Sequence, residues 1–340
     1  MHLEKVPLIS VIILNYNGAG FTEACVGSVL KSDYPQLEVI LVDNASTDNS
    51  LHLIMDNFGK DSRLRILRNN SNLYFAGGNN SGIRQAKGEL IVILNNDTEV
   101  DPAWLKELEI VFKDNNIGAI QPKVRIFGSN PPLIDTAGGQ LDRLGYASGW
   151  GFKQLDNEEF NIERDVFYAA GTAMALRKEV LDQVGLFDEK FKMHWEDVDL
   201  SWRIHLKGYR IVSCGKSIVY HKGSLSMNKF SGKAEVAWHI RKNRIAGMIK
   251  NLSLNNLIML LPILLLIYAI ISLKELLINR DFKLAFSSLR AIVWNLDKLN
   301  YLTKSHRYIQ HRIRKVSDKQ IFSLMERNLV ISRMLRGNKV

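Results

Sequence analysis

Four short, mostly apolar runs set the rhythm of the first hundred residues: 8–14 (LISVIIL), 37–42 (LEVILV), 64–67 (LRIL) and 90–94 (LIVIL). Each is four to seven residues long and stops at a cluster of Asn, Asp, Ser or Gly, as strands buried on both faces do. Between them the period changes to that of a helix. Cys25, Val26, Val29 and Leu30 predict a helix over about 22–31, and Leu51, Leu53, Ile54 and Met55 a second one starting near Asp48. A third, short helix is predicted over 81–86. Strands alternating with helices of about ten residues predict an α/β chain with a doubly wound sheet. Residues 118–165 read as shorter strands and loops punctuated by Gly138, Gly139 and Gly145, covering the sheet edge. Further on, 177–184 reads as a helix stopped by Gly185, 200–206 as one ended by Gly208, and 210–220 as a strand.

The polar residues that end these strands converge on one edge of such a sheet, where open α/β sheets bind ligands. The fourth strand runs into Asn95-Asn96-Asp97, and Asp101-Pro102 then opens a helix, with Asp as N-cap and Pro at the first helical position. Oxygen ligands at a strand end suit a hard divalent cation, Mg²⁺ or Mn²⁺, accompanied by phosphates. On that reading Asp97 holds a cation that holds a nucleotide diphosphate; the alternative is a polar turn capping a helix. No G-x-G-x-x-G follows the first strand and no G-x-x-x-x-G-K-[ST] occurs, which argues against nicotinamide dinucleotides and P-loop chemistry. Gly77-Gly78-Asn79 precedes the short helix. Paired glycines there would bring backbone close to a ligand beside an anion-favouring helix start, or form an ordinary turn.

A second cluster is His194-Trp195-Glu196-Asp197-Val198-Asp199. Three carboxylates in four residues beside aromatic rings raise one another's pKa unless donors or a cation compensate. One of them in an apolar pocket makes a general base for a sugar hydroxyl, whereas Asp197 or Asp199 could instead cap the helix. Asp199 and Arg203, four apart, read as a structural pair. His221 ends the strand over 210–220 and reads either as an ordinary polar residue or as a ligand completing a metal sphere with Asp97.

Taken in order, VIILNYNG, LVDNASTDNS, NLYFAGGNNSGI, ILNNDTEV, AAGTAMALRKEVLDQVGLFDEKF and HWEDVDLSWR resemble the family-2 glycosyltransferases, over about residues 6–250, most closely the branch of bacterial rhamnosyltransferases and galactofuranosyltransferases. The resemblance implies a GT-A fold and inverting transfer from a nucleotide-diphosphate sugar. It places Asp43 and Tyr16 at the nucleobase, and Asp97 at the metal-binding carboxylate of a D-x-D motif whose first acid is here Asn95. It makes His221 a second metal ligand and Asp197 the catalytic base, with Glu196 beside it as a second catalytic residue and Trp195 against the sugars. Gly77, Gly78, Asn79 and Asn95 join the substrate-binding set.

Composition modifies this picture mainly in the last third. Apolar content of 46% rules out a disordered chain, and two cysteines rule out a disulfide framework. The first ten residues hold no long apolar stretch of the signal-peptide kind. Residues 1–215 carry 22 basic and 29 acidic side chains, a net −7; residues 216–340 carry 23 and 6, a net +17. Residues 251–273 carry no charge at all, and their core LIMLLPILLLIYAIISL is long enough to span a bilayer, with Pro262 inside it. Basic residues on both sides (Arg241, Lys242, Arg244 and Lys250 before, Lys274 to Lys339 after) favour an in-plane or re-entrant anchor at the cytoplasmic face over a single pass. An amphipathic stretch over 282–302 and a basic helix from Lys304 suit an anionic membrane surface. The chain thus divides into a catalytic domain, 1–250, and a helical, basic, membrane-associating extension, 251–340. Its partners are a nucleotide-sugar donor and a lipid-linked or polysaccharide acceptor, not nucleic acid. A sugar nucleotidyltransferase would need a basic Gly-rich loop after the first strand, which Asn15-Tyr16-Asn17-Gly18 does not supply; a non-catalytic scaffold would have no use for both Asp97 and Asp197.

Overall fold

The computed structural model describes residues 6–223 and 232–326. Four parallel strands, β1 (Ile9–Asn15), β2 (Leu37–Asp43), β3 (Leu64–Arg68) and β4 (Leu90–Asn95), form half of a mixed sheet. The other half comprises β6 (Ile117–Ile126), β11 (Ala173–Arg177) and β12 (Arg210–His221), with the two-residue β10 (Arg164–Asp165) at the edge. Across the sheet the order is β3-β2-β1-β4-β11-β6-β12-β10. β11 runs antiparallel to both β4 and β6, and β12 is parallel to β6. Short strands β5 (Thr98–Val100) and β7 (Ile134–Thr136) pair with β12 and β6, and β8 (Gly139–Leu141) with β9 (Ala147–Gly149) forms a separate hairpin.

Alternate residues of the strands face opposite layers. Val11, Ile13, Val39, Leu41 and Val92 pack under α1 (Thr22–Leu30), α2 (Ser50–Phe58) and α4 (Trp104–Val111). Ile12, Ile40, Ile91 and Ile93 pack under α3 (Tyr74–Gln85), α5 (Lys178–Val184) and α6 (Glu196–Lys207). The apolar runs of β1, β2 and β4 therefore become strands buried on both sides, whereas β3, at the edge of the sheet, is half-buried.

Three local expectations are corrected. Residues 118–165 are not merely short strands, because β6 is ten residues long and lies inside the sheet. Its alternation is hidden by buried polar residues: Gln121 donates to Pro122 O and Ala173 O, and Lys123 reaches Asp156 and Asn161. Gly77, Gly78 and Asn79 lie inside α3, not in a loop ahead of it. A Cβ on Gly78 would come within 2.4 Å of Leu14 and one on Gly82 within 2.6 Å of Ile12, so these glycines serve close packing of helix on sheet. Asp101 does not cap α4, whose N-cap is Ala103; its side chain accepts from the Ala103 N–H in the preceding turn.

The C-terminal third is helical: α7 (Lys233–Asn251), α8 (Leu254–Leu277), α9 (Phe282–Asp297), α10 (Leu299–Tyr308), a π-helical turn (Ile309–Ile313) and α11 (Asp318–Leu324). It shares its core with the sheet layer: Tyr268, Leu302, Ile309, Ile313 and Ile321 belong to the same cluster as Ile12 and Ile91. Residues expected to face headgroups ahead of the apolar stretch point inward, with Lys242, Arg244 and Lys250 buried and Arg241 bonded to Ser287 and Ser288. The expected basic helix from Lys304 ends at Tyr308, and the tail beyond residue 326, Lys339 included, lies outside the described residues. Among the described residues one helix, α8, is long and apolar enough to cross a bilayer. Only Leu260, Leu264 and Tyr268 of it are buried, a single stripe at four-residue spacing.

Candidate active site

The site lies along the edge of the sheet where the parallel strands end. At the close of β1, Asn15 ties several loops together. Its amide donates to Asp43 Oδ1 (3.1 Å), Ser46 Oγ (3.1 Å) and Ser50 Oγ (2.9 Å), and its carbonyl accepts from Thr22 and Asn96. Asp43, opposite Asn15 in the β1–β2 register, is thus fixed next to the loop that carries half-buried Tyr16. Asn44 does the same one strand further out, joining Asn69, Asn72, Leu73 and Tyr74. The sequence marks Asn15 and Asn44 only as turn formers; that they are hubs depends chiefly on partners 25 to 81 positions away.

Asp97 follows β4 and is buried. The β5–β12 ladder sets Thr98 opposite His221, which brings His221 Nε2 to 3.3 Å from Asp97 Oδ1. His221 Nδ1 meets Asp135 Oδ2 at 2.8 Å. Burial opposes charge on this imidazole, but the hydrogen bonds to Asp135 and Asp97 outweigh it and bring its pKa up to about 9. Asp135, on β7, has no sequence signal of its own.

The donor set fits a divalent cation. Asp97 offers a carboxylate oxygen and His221 offers Nε2, while Asp135 holds the opposite ring nitrogen and fixes the tautomer, the usual support of a ligating histidine. Among the described residues no group of three or more His, Cys, Asp or Glu gathers as a complete cage. Two protein ligands leave positions for phosphate oxygens and water, as in sites that share a cation with a nucleotide. Asn95 closes β4 beside them, its N–H bonded to Thr172 O.

Asp197 arrives from the other half of the sheet. Its Oδ2 accepts from the Gly171 N–H (3.0 Å) and its Oδ1 from Val198 N–H (2.8 Å). Gly171 also packs against the Phe75 ring, which would lie 2.7 Å from a Cβ at this position. Next along the chain, Thr172 O accepts from Asn95 N–H and Ala173 pairs with Leu94. Asp97 and Asp197, a hundred positions apart, are thereby brought to one edge of the sheet by adjacent strands. Burial raises the Asp197 pKa above the usual carboxylate range, against the pull of its two N–H donors. It is not the N-cap residue, which is Trp195; Asp197 lies inside the first turn of α6 and its bond to Val198 N–H is made from there.

Two neighbours are corrected. Trp195 is 5% exposed, its indole N–H donates to Gly145 O, and a Cβ on Gly247 would fall 1.9 Å from its ring. It is a core residue and not a platform for sugars. Glu196 is also buried, and its Oε2 has neither solvent nor a partner. Burial first, then the Asp197 charge, pushes its pKa well above the usual value. Gly77 and Gly78, placed within α3, offer no anion-binding loop, and buried Asn79 donates to Phe75 O of its own helix. Asp199 pairs with Arg203 as its spacing predicts, at 3.1 Å. The backbone leading into α6 is unusual: Lys192, His194 and Trp195 all have left-handed φ (66°, 63° and 72°), each costing about 1–3 kcal/mol unless held by its surroundings.

A mixed α/β sheet with this strand-end edge is a GT-A architecture. Solved structures agree on the fold: GalNAc-T7 with UDP, GalNAc and Mn²⁺ superposes with a TM-score of 0.61 at 19% identity, over 89% of this chain and 58% of that one. S. aureus TarS 1–349 with UDP-GlcNAc gives 0.55 at 18% identity, over 90% and 92%. The family model described as "Glycosyl transferase family 2" matches residues 10–185, and the chain belongs to that family. Among curated relatives, the O-antigen biosynthesis protein RfbC of Myxococcus xanthus is 30% identical over 233 residues, 66% of this chain and 18% of that protein. The poly-beta-1,6-N-acetyl-D-glucosamine synthase of Staphylococcus epidermidis is 28% identical over 61% of this chain and 48% of its own length. The low-salt glycan biosynthesis hexosyltransferase Agl10 of Haloferax volcanii is 24% identical over 70% and 75%. The chain spans less than half the length of the first two of these three.

Proposed function

We propose that this protein is an inverting glycosyltransferase that moves a sugar from a nucleotide diphosphate to a hydroxyl of a lipid-linked or growing cell-surface glycan. The observation that carries the reading is the meeting of the Asp97–His221 pair and Asp197 at one sheet edge. Tyr16 and Asp43 bind the nucleobase at the ends of β1 and β2. Asp97 and His221 hold a divalent cation, Mg²⁺ or Mn²⁺, and Asn95, an amide in place of an acid, lowers the negative charge around it. When bound, that cation neutralises charge on the departing diphosphate. Asp197 removes the proton of the acceptor hydroxyl as its oxygen attacks the anomeric carbon from the face opposite the leaving group. The hydroxyl oxygen gains the glycosidic bond, the bond from anomeric carbon to diphosphate oxygen breaks, and the proton rests on Asp197. One displacement without a covalent enzyme intermediate gives inversion. Names of the relatives, in O-antigen, poly-N-acetylglucosamine and low-salt glycan synthesis, favour a cell-surface product.

The reaction is set at the cytoplasmic face of a membrane, and the helical extension supports that part of the reading. Ile258, Leu266 and Ile270 of α8 and Phe282, Phe286 and Val293 of α9 are exposed, and Lys274, Lys283 and Arg290 stand exposed among them. Apolar stripes bordered by basic side chains suit an in-plane seat on anionic lipid. The boundary near residue 250 then separates a donor-binding part from an anchoring part. The deciding experiment is a donor panel: the full chain, Mn²⁺ and a set of UDP-, dTDP- and GDP-sugars, with released nucleoside diphosphate as the signal. Release from one donor, abolished by Asp197→Asn, is expected; no release from any sugar nucleotide, with no binding of the corresponding diphosphates, would overturn the reading.

A further inference from the structure

We infer that Asn243, on the C-terminal helix α7, is the positioning residue for Asp197, so that the helical layer is part of the catalytic apparatus. The inference rests on the role of Asp197 proposed above. The segment 190–195 delivers α6, and it reaches that helix through three left-handed residues. Its own turns supply only a few backbone bonds, from Phe191 N–H to Asp188 O, Lys192 N–H to Glu189 O and Met193 N–H to Phe191 O. Three of its carbonyls turn toward α7, where a single amide collects them: Asn243 Nδ2 donates to Phe191 O (3.1 Å), Met193 O (3.0 Å) and His194 O (2.6 Å). Two N–H groups are shared among three acceptors, and Asn243 itself is fully buried.

The residues around it reinforce this hold. Lys242 Nζ donates to Asn243 Oδ1 (2.5 Å), which orients the amide with its nitrogen toward the loop, and to Lys190 O and Phe191 O. One turn on, Gly247 leaves the room in which the Trp195 indole lies. At the end of the helix, Lys250 bridges Asp188 Oδ2 (2.6 Å) and Asp199 Oδ2 (3.0 Å), on either side of the segment. The strained loop, the tryptophan ahead of the base and the turn after it are thus all set from one helix. Asn at 243 suits this task because the role calls for a donor pair and an acceptor on one short side chain. Asp at 243 has the same shape and cannot donate.

The test uses the full-length chain and the variants Asn243→Asp and Asn243→Ala. Three readouts are taken: turnover with the donor the panel identifies, affinity for the nucleoside diphosphate with Mn²⁺, and hydrogen–deuterium exchange of the amides of residues 190–198 and of those around Asp43 and Asp97. Expected are a kcat lower by about a hundredfold, in line with a misplacement of about 1 Å, a donor KM within about threefold of wild type, and unchanged affinity for the nucleoside diphosphate with Mn²⁺. Exchange should quicken in 190–198 and stay the same around Asp43 and Asp97. Asn243→Gln, which keeps both amide groups, should recover part of kcat. Wild-type kcat in Asn243→Asp, or a loss of diphosphate affinity equal to the loss of kcat, overturns the positioning role. Should Asp197→Asn itself turn over normally, the functional reading fails, and the exchange data alone then decide the clamp: unchanged exchange in 190–198 refutes it.

Discussion

Asp197 is subject to two opposed influences, burial that favours the neutral acid and two backbone N–H donors that favour the carboxylate, and burial prevails. Because the folded-state pKa is raised, the competent base form is lost as pH falls through a value above the ordinary carboxylate range. A pH–rate profile should therefore show kcat/KM dropping on the acid side with a midpoint above that of an ordinary aspartate, and Asp197→Asn should cost about 10²–10⁴-fold in kcat with diphosphate binding intact. Asp135 makes a separate prediction. It touches the ring of His221 and not the place of the cation, so Asp135→Ala should weaken Mn²⁺ binding about 10–100-fold, measured by calorimetry with nucleoside diphosphate present, while apo stability changes little. Affinity equal to wild type would remove His221 from the metal site. At this scale the sequence made Asp97, His221 and Asp197 visible because each ends a strand or opens a helix in a polar cluster. Asp135 stayed hidden because its meaning comes only from a partner 86 positions away. Trp195 and Glu196 were misread for a related reason: proximity along the chain to a site residue does not say on which side of the backbone a side chain falls.

Elements follow the same division. β1, β2 and β4 were legible because burial on both faces demands continuous apolar residues. β6 was not, since Gln121, Pro122 and Lys123 interrupt its pattern and are tolerated only because distant groups satisfy them. The extent of α3 was not legible either: glycines that read as a loop serve contact with β1 and β2 at the expense of helix propensity. The pair α8–α9 supports a prediction of its own. Leu266, Ile270 and Phe286 are 62%, 60% and 54% exposed and support no core, whereas Leu260, Leu264 and Tyr268 do. Replacing the first three together by Ser should abolish sedimentation with phosphatidylglycerol vesicles and leave the melting temperature within about 2 °C. Vesicle binding equal to wild type would place the membrane contact elsewhere.

The whole molecule is less divisible than its composition suggests. A boundary at 250 sets a part with as many acidic as basic side chains (30 of each) against a basic one (15 basic, 5 acidic), yet the structure joins them through a shared core and through polar contacts: Tyr301 to Asp188, Gln310 to Lys250 O and Glu326 N–H to Leu141 O. Truncation after residue 251 would remove buried Leu302, Ile309, Ile313 and Ile321, and large-to-small losses in a core cost about 2–5 kcal/mol per side chain. Against the roughly 5–15 kcal/mol that a domain possesses, the truncated chain should fail to fold, giving no cooperative melt by circular dichroism. A soluble truncated protein with a sharp transition would show that the two halves are separate after all.

The outward oily strip on α8 and α9 has a practical consequence for anyone purifying this protein. In plain buffer, without amphiphile, those side chains find cover on another copy, so dimers or larger particles seen by light scattering there are expected to form through this strip. Adding a mild detergent should dissolve such particles to single chains, and the quaternary state recorded in its presence is the one to compare with turnover.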